Sequence, residues 1–280
     1  MGLKSFVQGL MPADYIARKS ILAALREQKL LPLFNRLNEI VPDIVQQYSS
    51  FSLDTEYRRI KVRGQHSFQI DLVNQALRFI GDLGRGMTIV DIGDSAGTHL
   101  RYIKALHEER DFRCLSVNMD EAAIMRIRQA GLEAVHTRAE ELSEHQVDAD
   151  LFLSFAMVEH LMNPCGFLHS LSENSTCRAF VITVPYVAQS RVGLRYIRLN
   201  QPRQVSAENT HIFELSPDDW RLIFKYSGWE MLAERIYYQY PRRSPLTPAL
   251  RTFWRRNDYE GFYGAVLKPD KTWSKLYADW

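Results

Sequence analysis

The spacing of apolar residues changes character along this chain. Between residues 12 and 48 they recur at helical intervals, with Ile21, Leu22 and Leu25 forming one stripe and Leu33, Leu37, Ile40 and Val41 another, interrupted by Pro32 and Pro42. A short basic segment, Tyr57-Arg-Arg-Ile-Lys-Val-Arg-Gly64, follows. The pattern then predicts a helix over 67–83, because Leu72, Val73, Ala76, Ile80 and Leu83 share one side and Gly81, Gly84 and Gly86 close it. Beyond this point short apolar runs alternate with amphipathic ones. Strands are expected at 87–92, 112–117, 132–136, 149–155 and 178–184, with helices at 98–107, 121–130, 138–142 and 157–171 between them. Such alternation implies βαβ units, and therefore an α/β fold: a Rossmann-like, doubly wound, mostly parallel sheet preceded by an N-terminal helical cap. Ser216-Pro-Asp-Asp219 opens a later helix that Gly228 stops. Residues 229–240 and 260–267 are the last strand candidates, the second with glycines read as a bulge.

Composition narrows the function classes. At 280 residues and 46% hydrophobic the chain can bury a full core. A net charge of +2 gives no bulk attraction to nucleic acid, so a nucleic-acid partner is disfavoured. Cys114, Cys165 and Cys177 have no CxxC spacing and read as reduced structural thiols. No run reaches the roughly 18 apolar residues of a membrane span, and the first residues carry no signal-type apolar core, so a cytoplasmic location is expected. Peripheral membrane contact stays open, because Lys4, Arg18 and Lys19 flank apolar faces. The oligomeric state is not set by the sequence.

The most informative stretch is Met87-Thr-Ile-Val-Asp-Ile-Gly-Asp-Ser-Ala-Gly-Thr-His-Leu100. An apolar strand ends at an acid and breaks into a small-residue turn before helical spacing resumes. A turn of this type lets backbone N–H groups at a helix start approach a polar ligand, with Asp91 as an acceptor or orienting group.

With that order of strands and helices, Val90-Asp-Ile-Gly-Asp-Ser-Ala-Gly97 resembles the first motif of the class I S-adenosylmethionine-dependent methyltransferases. Phe155-Ala-Met-Val-Glu-His-Leu-Met-Asn-Pro164 is similar to that family's segment after the fourth strand. Asn209-Thr-His-Ile-Phe-Glu-Leu-Ser-Pro217 with Tyr226-Ser-Gly-Trp229 resembles its approach to a late helix. The resemblance covers roughly residues 85–240. It implies S-adenosylmethionine as cofactor, held by Asp91, Gly93, Asp94, Ser95 and Gly97 in the first motif and by Asn118 and Met119 at the end of the second strand. Ala139 and Glu140 would lie beside the adenine, and Phe155 after the fourth strand. It also implies a division into a helical, substrate-side region 1–84, a methyltransferase domain 85–270 with a lid or acceptor loop at 186–210, and a C-terminal tail 271–280. Three positions depart from the family pattern: Ser95 where glycine is usual, Asn118 where an acid accepts the ribose hydroxyls, and Arg138 where an acid often stands near the adenine.

Methyl transfer to a hydroxyl needs alignment and removal of a proton, which a histidine can accept near neutral pH. The resemblance puts His160 and His211 in position, with Glu159 alongside. The remaining histidines show no metal-ligand spacing, and no metal is expected. Basic clusters at Arg58, Arg59, Lys61 and Arg63, at Arg191, Arg195, Arg198 and Arg203, and at Arg242, Arg243, Arg251, Arg255 and Arg256 would suit an anionic acceptor if they converged. Tyr196, Phe253, Trp254, Tyr259, Phe262 and Tyr263 could stack on sugar or ring faces. The expected activity is O-methylation of a small-molecule or glycan-type hydroxyl acceptor, an anionic sugar and hence polysaccharide biosynthesis among the candidates. The alternative is a non-catalytic, methyltransferase-like scaffold or partner subunit. A nicotinamide-dependent oxidoreductase ranks third, because the third glycine of the dinucleotide fingerprint is absent.

Overall fold

The computed structural model describes residues 13–49, 51–192 and 210–276. Three helices, α1 (Ala13–Glu27), α2 (Leu31–Ile40) and α3 (Glu56–Ile80), precede β1 (Met87–Ile92), α4 (Thr98–Leu106), β2 (Phe112–Asn118), α5 (Glu121–Gln129) and β3 (Glu133–His136). The chain then returns to the other side of β1 with β4 (Leu151–Phe155), α6 (Pro164–Asn174) and β5 (Ala179–Pro185). A two-stranded ladder, β6 (Arg191–Val192) with β7 (Phe213–Glu214), precedes α7 (Pro217–Tyr226), β8 (Trp229–Tyr238), α8 (Thr247–Asn257) and β9 (Gly261–Pro269). The large sheet has the order β3-β2-β1-β4-β5-β9-β8. Its first five strands are parallel; β9 runs antiparallel between β5 and β8, so β8 points the same way as the first five. The expected mostly parallel, doubly wound sheet is therefore present.

Both faces of the sheet are covered, which is why its central strands read as unbroken apolar runs. Along β4 the side chains alternate. Leu151 and Leu153 pack with Ile21, Leu37, Phe68 and Leu72 from the N-terminal helices, while Phe152 joins Trp220, Phe224 and Trp229 on the opposite face. The N-terminal helices thus share a core with the sheet.

Four expectations change. The basic segment at 57–64 is not a separate stretch: it forms the first turns of α3, which runs 25 residues from its cap at Thr55, whose hydroxyl accepts the Arg58 N–H, to Ile80. Arg63 makes this continuity workable. Its buried guanidinium donates to the carbonyls of Leu37 (3.0 Å), Val41 (2.8 Å) and Pro42 (3.1 Å), satisfying the open end of α2. A helix over 157–171 is replaced by a 3₁₀ turn at Val158–His160 and a new start at Pro164. Proline suits a first helical position, and the Asn163 side chain caps it by accepting from Gly166 N–H at 2.9 Å. The bulge lies in β8, between Met231 and Ala233, and not at the β9 glycines. Gly264 instead allows close approach, since a Cβ there would sit 2.4 Å from Leu72 Cδ1 on α3. Finally, α8 had no counterpart in the sequence reading. Its Trp254 is fully buried and donates from the indole to Ser20 Oγ at 3.0 Å, anchoring the helix against α1. Of the expected lid and tail, residues 193–209 and 277–280 lie outside the described residues.

Arg63→Met is expected to lower the unfolding free energy by about 3 kcal/mol, because three carbonyls lose a charged donor inside the core. Arg58→Met removes an exposed pair with Asp54 and should stay within about 0.5 kcal/mol of the parent. Urea denaturation of both variants checks the contrast.

Candidate active site

Between β1 and β4 the strand order reverses direction, and ligands of open α/β sheets bind at the carboxyl ends of strands at such a point. A cleft of about 900 Å³ opens there, near the upper end of the range for small-molecule sites. Asp91, Gly93, Asp94, Ser95, Asn118, Met119, Ala139, Glu140, Phe155, His160 and His211 all line it. Gly97 does not. Its φ of +71° starts α4, and a Cβ on it would meet Leu132 Cδ1 at 2.5 Å, so its role is in the turn itself.

The turn is held from within. Asp94 accepts the N–H groups of Ala96 (3.1 Å) and Gly97 (2.8 Å) on one oxygen and the Ser116 hydroxyl (2.6 Å) on the other. Its carboxylate therefore shapes the loop. Gly93 takes φ +89°. Ser95 is not among the positive-φ residues, so its Cβ brings no backbone strain. The Asn118 amide bridges the site's rim, donating to Asp94 O and accepting from Asp120 N–H, each at 2.8 Å. Asp120 caps α5 and accepts the Ser49 hydroxyl, and these bonds hold its carboxyl below the ordinary range. Arg138 pairs with Glu140 at 3.6 Å.

Asp91 is the other acid of the turn. It is 1% exposed, and its Oδ2 has no hydrogen-bond partner. Burial, reinforced by the charge of Asp94 and partly offset by His99, pushes its pKa up to about 6. His99 lies behind it. Its Nε2 faces Gln69 Oε1 at 2.9 Å, and the Gln69 amide in turn donates to Thr183 Oγ1. The other His99 ring nitrogen, Nδ1, lies 3.4 Å from Asp91 Oδ2. His66, beside His99, is kept neutral by burial, which drives its pKa well below the usual value.

A second polar cluster closes the cleft opposite the glycine turn. The Ile212 N–H donates to Glu159 O at 2.8 Å and brings the two later motifs together. The rings of His160 and His211 consequently meet edge to face, 4.6 Å between centroids. His160 Nδ1 lies 2.9 Å from the Thr210 carbonyl, which can only accept, so Nδ1 carries the proton and Nε2 the lone pair. Tyr259 donates its hydroxyl to Glu214, and its oxygen lies 2.7 Å from His211 Nδ1. Burial would lower the His211 pKa, but its hydrogen bond to Glu214 and the charges of Glu159 and Glu214 raise it overall. Glu214 shows the reverse. Burial opposes its charge, yet hydrogen bonds from His211, Tyr259 and Arg191 bring it down to about 2. Glu159 is fully buried, and neither carboxyl oxygen has a hydrogen-bond partner. Burial raises it to about 7, with His211 opposing and Glu214 adding.

Sequence reading missed several lining residues. Gln65, His66 and Gln69 reach the cleft from α3, beside Lys61 and, from the segment before β9, Tyr259, which the sequence offers as acceptor-side candidates. Their signal was a polar stripe on a helix that is otherwise buried. Among the described residues the basic clusters do not converge. Arg58 and Arg59 bond Asp54 and nearby carbonyls, Arg63 is in the core, and Lys61 pairs with Asp258. Arg251 and Arg255 hold Glu260, Arg242 stacks on Tyr238, and Arg191 binds Glu214. Arg195, Tyr196, Arg198 and Arg203 lie outside the described residues. Of the aromatics, Tyr259 and Phe262 line the cleft, while Trp254 and Tyr263 are core residues. Among the described residues, no helix is long and apolar enough to cross a membrane.

No protein-family model and no curated protein sequence matches this chain. Solved structures do. A protein from Galdieria sulphuraria assigned as a sarcosine dimethylglycine methyltransferase aligns over 78% of this chain and 88% of its own, at 13% identity and a TM-score of 0.53. The [4+2]-cyclase SpnF aligns over 93% of this chain and 97% of its own, at 9% identity and a TM-score of 0.52. The fold is that of the class I methyltransferases, and at these identities the likeness extends to the fold alone.

Proposed function

We propose that this protein is an S-adenosylmethionine-dependent methyltransferase acting on a hydroxyl of a small or glycan-type acceptor. The observation that carries the reading is a single cleft with two chemically distinct ends. A buried Asp91 whose Oδ2 has no hydrogen-bond partner stands at a glycine turn on one side, and Glu159, His160 and His211 stand on the other. The donor set suits the cofactor. Asp91 offers a carboxylate to an ammonium group, and Gly93 leaves the backbone approachable. Ala139 and Glu140 stand at the end expected for adenine, and the Asn118 carbonyl keeps a second lone pair for a ribose hydroxyl. The bound cofactor would supply an electrophilic methyl group on sulfur. The protein's own work is to align the acceptor, exclude water and remove its proton, with His160 and His211 as the candidate catalytic residues.

Residues 85–270 form the proposed catalytic unit. Region 1–84 supplies acceptor-side residues, a reading supported by the α3 side chains in the cleft. Two of the three basic clusters behind an anionic sugar acceptor are engaged elsewhere, so the anionic part of that reading rests on Arg195, Arg198 and Arg203.

One observation favours the scaffold alternative: the Asn118 amide already has a partner at each end, and no free carboxylate replaces it. Against it stands the open cleft, since a repurposed site is expected to be filled by side chains. Calorimetric titration with S-adenosylhomocysteine decides between them. A single site of micromolar affinity is expected, and no heat up to millimolar ligand would leave the scaffold reading in place.

A further inference from the structure

We propose that Glu159, His160 and His211 form a binding site for a divalent transition-metal ion on the acceptor side of the cleft. One ligand atom from each residue lies within 4.8 Å of the other two. Two imidazoles and one carboxylate are the donor set of sites that leave several positions open for water or substrate. Bonds of about 2.1 Å would bring the ligand atoms to ~3 Å from each other, which rotation of the three side chains by about 1 Å can supply.

Three independent features of the surroundings fit an ion. Glu159 is a carboxyl group with no exposure and no hydrogen bond to either oxygen, an arrangement that is costly unless a cation completes it. The two histidines are oriented as metal ligands usually are, each donating its other ring N–H to an oxygen. His160 Nδ1 meets the Thr210 carbonyl, and His211 Nδ1 meets Tyr259 and the buried Glu214. Both rings thus present Nε2. The backbone bond between Ile212 and Glu159 fixes the two supporting segments against each other, so the cluster is held in place by the fold. With two nitrogen donors the site favours manganese, iron, cobalt or zinc over magnesium or calcium, which take oxygen ligands.

Binding of the ion does not depend on the methyltransferase reading, but its role does. With the ion bound, His160 and His211 would act as its ligands in place of a base, and an acceptor hydroxyl on the ion would lose its proton to solvent more readily. Its oxygen would then form the bond to the methyl carbon as the carbon–sulfur bond of the cofactor breaks, giving S-adenosylhomocysteine and the methyl ether.

The test titrates Co²⁺ into the full-length, metal-free protein, followed by visible ligand-field absorption and calorimetry. A single ion per chain is expected. Glu159→Gln, His160→Gln and His211→Gln should each weaken it by roughly two orders of magnitude, and Glu214→Gln by about 10- to 100-fold through misorientation of His211. Far-UV circular dichroism and S-adenosylhomocysteine affinity show that each variant is folded. Absence of Co²⁺ binding in a parent protein that still binds S-adenosylhomocysteine overturns the metal site alone. Displacement of Co²⁺ by equimolar Mg²⁺ overturns the assignment to a transition metal. Co²⁺ binding without any S-adenosylhomocysteine binding supports the site and removes the methyltransferase reading instead.

Discussion

Asp91→Asn is expected to make the ligand-free protein more stable at pH 8 while lowering its affinity for S-adenosylhomocysteine by about 100-fold, the scale of a lost charge-assisted hydrogen bond. The stability gain follows from linkage. Asp91 has its pKa raised from an ordinary 3.8 to about 6 by burial and by Asp94, against the opposing effect of His99, with neutral His66 behind that ring. A carboxyl group raised on folding binds its proton more tightly in the native state than in the unfolded chain. It therefore costs no stability at pH 3, where both states are protonated. The cost grows as pH rises through the window from about 4 to about 6, and it is constant above that. Each pKa unit is about 1.4 kcal/mol, so the native carboxylate costs on the order of 3 kcal/mol at pH 8. Asparagine escapes the penalty. Urea unfolding at pH 8 and pH 4 should show the advantage of the variant shrinking at the lower pH. A variant less stable than the parent at both would mean that Asp91 is a structural acid rather than a ligand's partner.

Gly93→Ala should remove measurable S-adenosylhomocysteine binding, a loss of about 100-fold or more, without unfolding the protein. The residue sits at φ +89°, a conformation that costs a non-glycine residue roughly 1–2 kcal/mol. A Cβ there would also lie 2.6 Å from Met157 Cγ and 3.0 Å from its Cβ. Met157 lines the same cleft, so relief of that clash displaces its side chain within the space proposed for the cofactor. Ser95→Ala is the matched control. Ser95 has no positive φ, and its carbonyl rather than its hydroxyl bonds Arg126, so affinity should change less than about threefold. Calorimetry on the two variants checks the difference. Equal losses would place the site away from the turn at Gly93.

The legible part of this chain was the part dictated by local periodicity. The five parallel strands follow from β-branched and aromatic runs such as Leu151–Phe155, and the glycine turn from small residues after Asp91. What sequence did not disclose depended on partners far along the chain. The charge on Arg63 marked a surface segment until the carbonyls of Leu37, Val41 and Pro42, more than 20 residues away, accepted it. Pro164 was read inside a helix, although it begins one. His99 and Gln69 are separated by 30 residues and belong to different helices, so their bond behind Asp91 had no sequence signature. The pairing of His160 with His211 was foreseen only as two separate candidates. Their convergence with Glu159 required the bond from Ile212, 53 residues after Glu159, and with it the metal question that spacing alone had dismissed.

The four cleft-lining positions of α3, Lys61, Gln65, His66 and Gln69, belong to one helix that Phe68, Leu72 and the notch at Gly264 lock to the sheet. An α-helix turns about 100° per residue. A single inserted or deleted residue between His66 and Phe68 would turn Lys61, Gln65 and His66 away from the cleft while Gln69 kept its place, whereas point substitutions at 61, 65 and 66 leave the framework untouched. On the acceptor-side role proposed for α3, a change of acceptor preference is expected to come by substitution and not by length variation in this helix. Relatives that share the chemistry but not the substrate should differ at these positions while keeping the helix at constant length.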